Sequence, residues 1–220
     1  MSHPSRPDCD YLVSRVAIAL ASAERGQSHL TPDALAIPGM TSTPIRHFLN
    51  SLCDFEGCSY LEVGSFLGAT LVAASFRAGG YFAAIDNFSE FNPHGDSGRE
   101  FHANLRRFER ECCVAFHERD CWEMAKRLPD KMFNVYFYDG AHDRASQEDG
   151  VARFARCVQD SFVLMVDDWN LEEARSGTNA ALDKLGYSVV RGWEFLTDRN
   201  GDPETWWNGF WIGVISRDPR

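Results

Sequence analysis

The chain has no run of basic residues, and lysine is scarce: Lys126, Lys131 and Lys184 are the only three in 220 residues. With 22 basic against 32 acidic residues the formal net charge is −10. Readers of nucleic acid display a basic face to the phosphate backbone, so this balance argues against DNA or RNA as partner, and equally against an anionic membrane surface. No CxxC pair occurs among Cys9, Cys53, Cys58, Cys112, Cys113, Cys121 and Cys157. That odd number and loose spacing indicate neither a disulfide framework nor a zinc site. Reduced thiols in a cytoplasmic protein are expected. Long hydrophobic runs are missing too. The nearest, residues 16–23, falls short of the roughly 20 apolar residues a bilayer span needs. Asp8, Asp10 and Arg15 before it do not resemble a basic leader. Internal repeats and low-complexity segments are absent.

What is present fits one α/β domain, for 44% of residues are hydrophobic and 25% charged. Residues 1–8 read as a loose leader. Leu12, Val16, Leu20 and Ala23 recur at helical spacing. Thr43-Pro44 opens a second helix through about Asp54, with proline in the first turn where its missing N–H costs nothing. Short apolar runs then predict strands at 59–63, 81–85, 114–117, 133–138 and 161–166. Helical patterns fall at 68–78, 98–111, 121–127, 145–158 and 171–185, the last closed by Gly186. Such alternation predicts a parallel sheet covered on both faces. Residues 187–190 and 206–215 are strand-like, joined by a long connection containing the Asn200-Gly201 turn signal.

Chemistry gathers where predicted strands end. Gly64 and Gly68 follow the strand that carries Glu62, just before a helix. Glycines there bring backbone N–H groups and a helix N-terminus close to a ligand. Asp86 ends the next strand, 24 residues after Glu62, where an acid can accept from both hydroxyls of a ribose. Asp120, with Trp122 beside it, follows the third strand and suits a purine amino group with a stacking ring. Taken singly, Asp86 and Asp120 serve equally well as helix N-caps. Together, three acids at three successive strand ends outline a ligand crevice. Two later strands deliver Asp139-Gly140-Ala141-His142 and Asp167-Asp168-Trp169-Asn170. Converging carboxylates suit a hard divalent cation such as Mg²⁺, which would lower the pKa of an attacking oxygen. His142 is placed to take the proton. The alternative for Asp167 and Asp168 is a helix cap with a solvated acid, and for His142 a structural role.

The order Glu62-x-Gly64-x-x-x-Gly68, Asp86, Asp120 and the 133–139 strand resembles the class I S-adenosylmethionine-dependent methyltransferases over residues 57–216. The Asp-Gly-Ala-His and Val-Asp-Asp-Trp segments resemble their metal-dependent O-methyltransferase branch, which acts on sugars and natural products. The resemblance implies a Rossmann-like seven-stranded sheet, mostly parallel with one antiparallel strand near the C-terminus. Helices would cover both faces, with residues 1–55 a helical extension serving as lid, dimer contact or plain packing and 56–220 the cofactor-binding domain. It implies a cofactor set of Glu62, Gly64, Ser65, Gly68, Asp86, Asn87, Asp120, Cys121, Trp122 and Asp139. Catalysis would fall to His142 and Asp139, and metal binding to Asp139, Asp167 and Asp168, with Asn170 able to replace a neighbour. The expected partners are S-adenosyl-L-methionine, Mg²⁺ and a small-molecule acceptor such as a sugar, nucleoside or secondary metabolite, in a protein able to form a homo-oligomer. A metal-independent methyltransferase, a non-catalytic cofactor binder and a metal hydrolase are the competing readings. The 87–98 loop, through Phe88, Phe91 and His94, and the aromatic stretch 206–211 are further candidates for walls of the acceptor site.

Overall fold

A computed structural model describes residues 7–217, so most of the expected loose leader lies outside the described residues. Asp8 already belongs to a helix: its carboxylate accepts from the Tyr11 N–H and caps α1 (Cys9–Glu24). Leu12, Val16, Ala19 and Ala23 bury the inner stripe of α1, with Ala19 in the place expected of Leu20. α2 (Pro32–Leu35) is a single turn, and α3 (Thr43–Cys53) starts at the expected proline with Ser42 as its cap. From there strands and helices alternate: β1 (Ser59–Val63), α4 (Ala69–Ser75), β2 (Tyr81–Asp86), α5 (Ser97–Arg107), β3 (Val114–Glu118) and α6 (Cys121–Ala125). Then follow β4 (Phe133–Tyr138), α7 (Arg144–Phe154), β5 (Val158–Val166), α8 (Glu172–Leu185), β6 (Ser188–Phe195) and β7 (Phe210–Ser216).

The seven strands form one sheet in the order β3-β2-β1-β4-β5-β7-β6. The first five are parallel, and β7 runs antiparallel to both its neighbours. Its side chains divide between two cores. On one face Tyr60, Phe82, Phe137 and Met165 pack with α1, α3, α4 and α5. On the other Leu61, Ile85, Tyr136 and Leu164 pack with α6, α7 and α8. α1 and α3 thus build the same core as the sheet, Leu12 and Phe48 being fully buried there.

Several elements end earlier than periodicity suggests, each for a backbone reason. α4 stops before Arg77 and α5 before Glu109, both in the left-handed region at φ 58° and 56°. α7 ends at Phe154 because the Cys157 carbonyl accepts from Met132 and Phe133 N–H groups, drawing Val158 into β5 three residues sooner than its apolar run. β6 extends five residues past the expected 190, its alternating exposure masked in sequence by Gly192.

Candidate active site

Sheet order reverses between β1 and β4, the place where an open α/β sheet parts to form a crevice. A cavity of about 740 Å³ lies there, reached by the carboxyl ends of β1, β2, β4 and β5. It brings together Gly64, Ser65, Asp86, Asn87, Asp120, Cys121, Trp122, Asp139, His142, Asp167 and Asp168. Glu62 and Gly68 stand just behind its wall.

The glycine turn explains itself physically. Gly64 has φ +84° and approaches the β4 end so closely that a Cβ would lie 1.9 Å from the Asp139 carbonyl oxygen. Gly68, at φ +82°, opens α4. Asp86 accepts from the Ser65 and Phe66 N–H groups on Oδ2, both at 2.8 Å, and from the Phe88 N–H on Oδ1 at 2.7 Å. Its carboxylate therefore shapes the turn and, with acceptor capacity left on both oxygens, still faces the cavity. Asp120 caps α6 through the Glu123 N–H and also lines the cavity, so both of its expected uses coexist.

Glu62 is fully buried and accepts from Tyr60 Oη at 2.6 Å and Ser65 Oγ at 2.7 Å. Burial lifts its pKa to about 8, against the hydrogen bonds of Tyr60, Ser65 and Thr70, so it is protonated near neutrality. A folded-state pKa above the ordinary 4.5 stabilises the fold fully below that value and loses the contribution as pH rises through about 8. Glu62→Gln should flatten this dependence. Melting between about pH 5 and pH 9 should show the native protein losing on the order of a few kcal/mol relative to the variant. Parallel curves would contradict a neutral Glu62.

The other half of the cavity is acidic. His142 Nε2 lies 3.2 Å from Asp168 Oδ2 and 3.6 Å from Asp139 Oδ1. Burial pulls the imidazole pKa down, but the hydrogen bond and charge of Asp139, the charge of Asp168 and the Gln147 side chain carry it above the ordinary histidine value. Burial raises Asp139, opposed by His142. Asp167 is pushed far up by burial and by the charges of Asp139 and Asp168, and its Oδ1 is buried without a partner. Among the described residues no three side chains are arranged to hold a metal ion.

Neighbouring residues hold this group in place. Tyr138 Oη donates to the Ala141 and Ser146 carbonyls, fixing the loop that carries His142, and Asp143 caps α7. Asn208 Nδ2 donates to Asp168 Oδ1, and Asp168 sits at φ +54°. Asn170 does not line the cavity. Its amide donates to Thr197 and Asn200 and accepts from the Thr197 N–H, tying down the 196–209 connection. Gly209, at φ +88°, lets the Asn170 backbone and amide approach. In the aromatic stretch, Trp206 stacks on Phe195 with centroids 4.0 Å apart and Trp211 on Trp169 at 5.1 Å, while Trp207 reaches the cavity. Phe88 both packs on Phe101 and Phe116 and lines the cavity, Phe91 lines it while largely exposed, and His94 stands outside it. Gly39, Met40 and Thr41, before α3, complete the rim.

Strand order, the glycine turn and the position of the acids define the fold of the class I S-adenosylmethionine-dependent methyltransferases. Among solved structures, an O-methyltransferase from Bacillus cereus in complex with SAH is similar over 93% of this chain and 100% of its own, with TM-score 0.63 and 12% identity. Precorrin-6y C5,15-methyltransferase from Geobacter metallireducens matches over 86% and 98%, with TM-score 0.60 and 16% identity. A precorrin 8w decarboxylase from Methanobacterium thermoautotrophicum matches over 86% and 96%, with TM-score 0.56 and 18% identity. No family model matches the chain, and no curated protein is similar to it in sequence. The likeness is one of fold, and the reaction must be argued from the site. No helix of the described residues is long and apolar enough to cross a membrane.

Proposed function

We propose that this protein transfers the methyl group of S-adenosylmethionine to a hydroxyl of a small molecule, a sugar, nucleoside or secondary metabolite. The observation that carries the reading is the placement of His142 Nε2, flanked by two carboxylates, in the same cavity as the glycine turn and Asp86. When bound, S-adenosylmethionine supplies a methyl group activated on a positively charged sulfur. The Gly64–Ser65 turn and Asp139 would hold its amino-acid end, Asp86 its ribose, and Asp120, Cys121 and Trp122 its base. His142 takes the proton of the acceptor hydroxyl on Nε2, and Asp139 and Asp168 stabilise the imidazolium formed. The loops at 39–41, 87–91 and 207–208 would enclose the acceptor.

A divalent cation, Mg²⁺ first, belongs to the finer part of the proposal. Although no three side chains stand arranged as a metal site among the described residues, Asp139, Asp167 and Asp168 offer carboxylate oxygens of suitable chemistry, and Asp167 Oδ1 is buried without a partner. Asp139, Asp167 and Asp168 would hold it, and it would lower the pKa of a coordinated hydroxyl. Metal-independent transfer is the second reading, favoured by His142 Nε2 already lying between Asp139 and Asp168.

Calorimetric titration with S-adenosylmethionine tests the core of the proposal. Micromolar binding is expected, weakened at least ~10-fold in Asp86→Ala, which removes a charged hydrogen-bond acceptor typically contributing ~1.5–3 kcal/mol. Turnover lost with a chelator and restored by Mg²⁺ selects the metal-assisted route, and turnover indifferent to both selects the second reading. No binding at millimolar cofactor would refute the assignment.

A further inference from the structure

Left-handed backbone is unfavourable for a bulky side chain, and it persists only where the surrounding structure imposes it, functional sites above all. Among the described residues eight non-glycine positions adopt it. The four aromatic ones, Phe66, Phe88, Phe91 and Trp207, all line the cavity between β1 and β4. Two of them have a local reason. The Phe66 and Phe88 N–H groups both donate to Asp86, so their strain belongs to the turn that shapes the cofactor's expected place. Phe91 and Trp207 make no such bond. Each is held instead through its carbonyl, which accepts from Ser97 Oγ at 3.3 Å for Phe91 and from Thr197 Oγ1 at 3.2 Å for Trp207.

Both rings also lack an aromatic partner. Phe88 and Trp206 pack on rings of the protein, whereas Phe91 and Trp207 have no ring contact among the described residues. Phe91 is 63% exposed although it lines the cavity. The turn that carries Trp207 also carries Asn208, whose amide donates to Asp168, so Trp207 flanks the acidic end where an acceptor hydroxyl would react. The Asn208 oxygen accepts from the Gly201 N–H, and both ends of that amide are thus engaged by the protein. Charge narrows the choice further. Seven carboxyl groups line the cavity against one guanidinium, that of Arg119. A sulfonium and one divalent cation would offset only half of that excess, so a phosphate or carboxylate on the acceptor meets repulsion.

We propose that Phe91 and Trp207 select the acceptor, and that the class they select is an uncharged aromatic alcohol or phenol rather than a free sugar or a phosphorylated molecule. Open rings at a cavity mouth gain by covering a flat apolar partner in offset or edge-on geometry, and the area taken from water adds to that gain. The hydroxyls all round a free sugar would have to find partners or lose their water against these rings. An aromatic acceptor brings one or two hydroxyls, and the acidic end supplies partners for that few. This selection rests on the proposed transfer taking place in this cavity, and it narrows the acceptor within it.

The probe is 2-naphthol, measured by equilibrium dialysis against the full chain in metal-free buffer. S-adenosylhomocysteine is present throughout, since its missing methyl group prevents turnover. Saturable binding below about 1 mM is expected. Phe91→Ala and Trp207→Ala should each weaken it ~10-fold or more, while Phe91→Tyr, which keeps a ring, should stay within about threefold of the native chain. 2-Naphthyl phosphate should bind at least ~10-fold more weakly than 2-naphthol, with the gap closing as salt rises. Glucose should not compete. Naphthol binding that is equal in the native chain and both alanine variants overturns the proposal, as does tighter binding of the phosphate or competition by glucose. Binding of S-adenosylhomocysteine without binding of naphthol overturns the selection and leaves methyl transfer standing. Naphthol binding that depends on Phe91 in a chain that holds no S-adenosylhomocysteine upholds the ring site and refutes only the transfer.

Discussion

Replacing His142 by alanine is expected to lower methyl transfer by ~10²–10⁴-fold, the usual worth of a positioned general base, while leaving S-adenosylmethionine affinity within about twofold. The separation follows from where the groups lie. The glycine turn and Asp86 sit at the ends of β1 and β2, whereas His142 follows β4 and faces Asp168 from the end of β5. Removing the imidazole also leaves Asp139 and Asp168 facing one another with no counter-charge, so His142→Gln, which keeps a hydrogen-bond donor between them, is the companion variant. Single-turnover transfer and calorimetric cofactor binding on both variants make the measurement. Equal loss in both variants with intact binding identifies proton transfer as the missing step. Full activity in His142→Ala would move the base elsewhere and withdraw the mechanism proposed for this site.

Much of this arrangement was legible in the sequence because it is local. The strand that carries Glu62, the glycines at 64 and 68, and Asp86, Asp139 and Asp167 at later strand ends are fixed by short runs whose periodicity survives in one dimension. Gly186 as the end of α8 and the proline at the start of α3 belong to the same kind of signal. The supports of the site were not legible, because their partners are distant along the chain and carry no pattern. Asn208 reaches Asp168 across 40 residues. Tyr138 read as one more apolar strand residue, yet its hydroxyl is what ties down the His142 loop. Asn170, which the sequence offered only as a possible substitute for a neighbouring acid, engages its amide with Thr197 and Asn200 in the 196–209 connection. A signal for Asn208 did exist in the Asn-Gly pair that follows the tryptophans, since Gly209 takes a positive φ that turns the chain there.

The glycine turn allows strain and collision to be separated by experiment. Gly64 and Gly57 share nearly the same φ, +84° and +82°, but a Cβ at Gly57 would meet nothing within 4 Å. Gly57→Ala should therefore reveal the conformational cost alone, about 1–2 kcal/mol, or a melting temperature lowered by about 2–8 °C. Gly64→Ala adds a contact no rotamer can relieve, because the obstructing atom is the Asp139 backbone carbonyl. Any relief must pull β1 from β4 just where Asp139 N–H donates to the Val63 carbonyl and Gly64 N–H to the Ile85 carbonyl. We expect a loss of about 4 kcal/mol or more, roughly 10 °C in melting temperature, which places this variant among the most damaging single substitutions. Because the same displacement carries Ser65 and Asp139 away from each other, cofactor binding should fail in Gly64→Ala and survive in Gly57→Ala. If the two variants melt together and bind alike, the close approach of the β1 turn to the β4 end is not what builds this site.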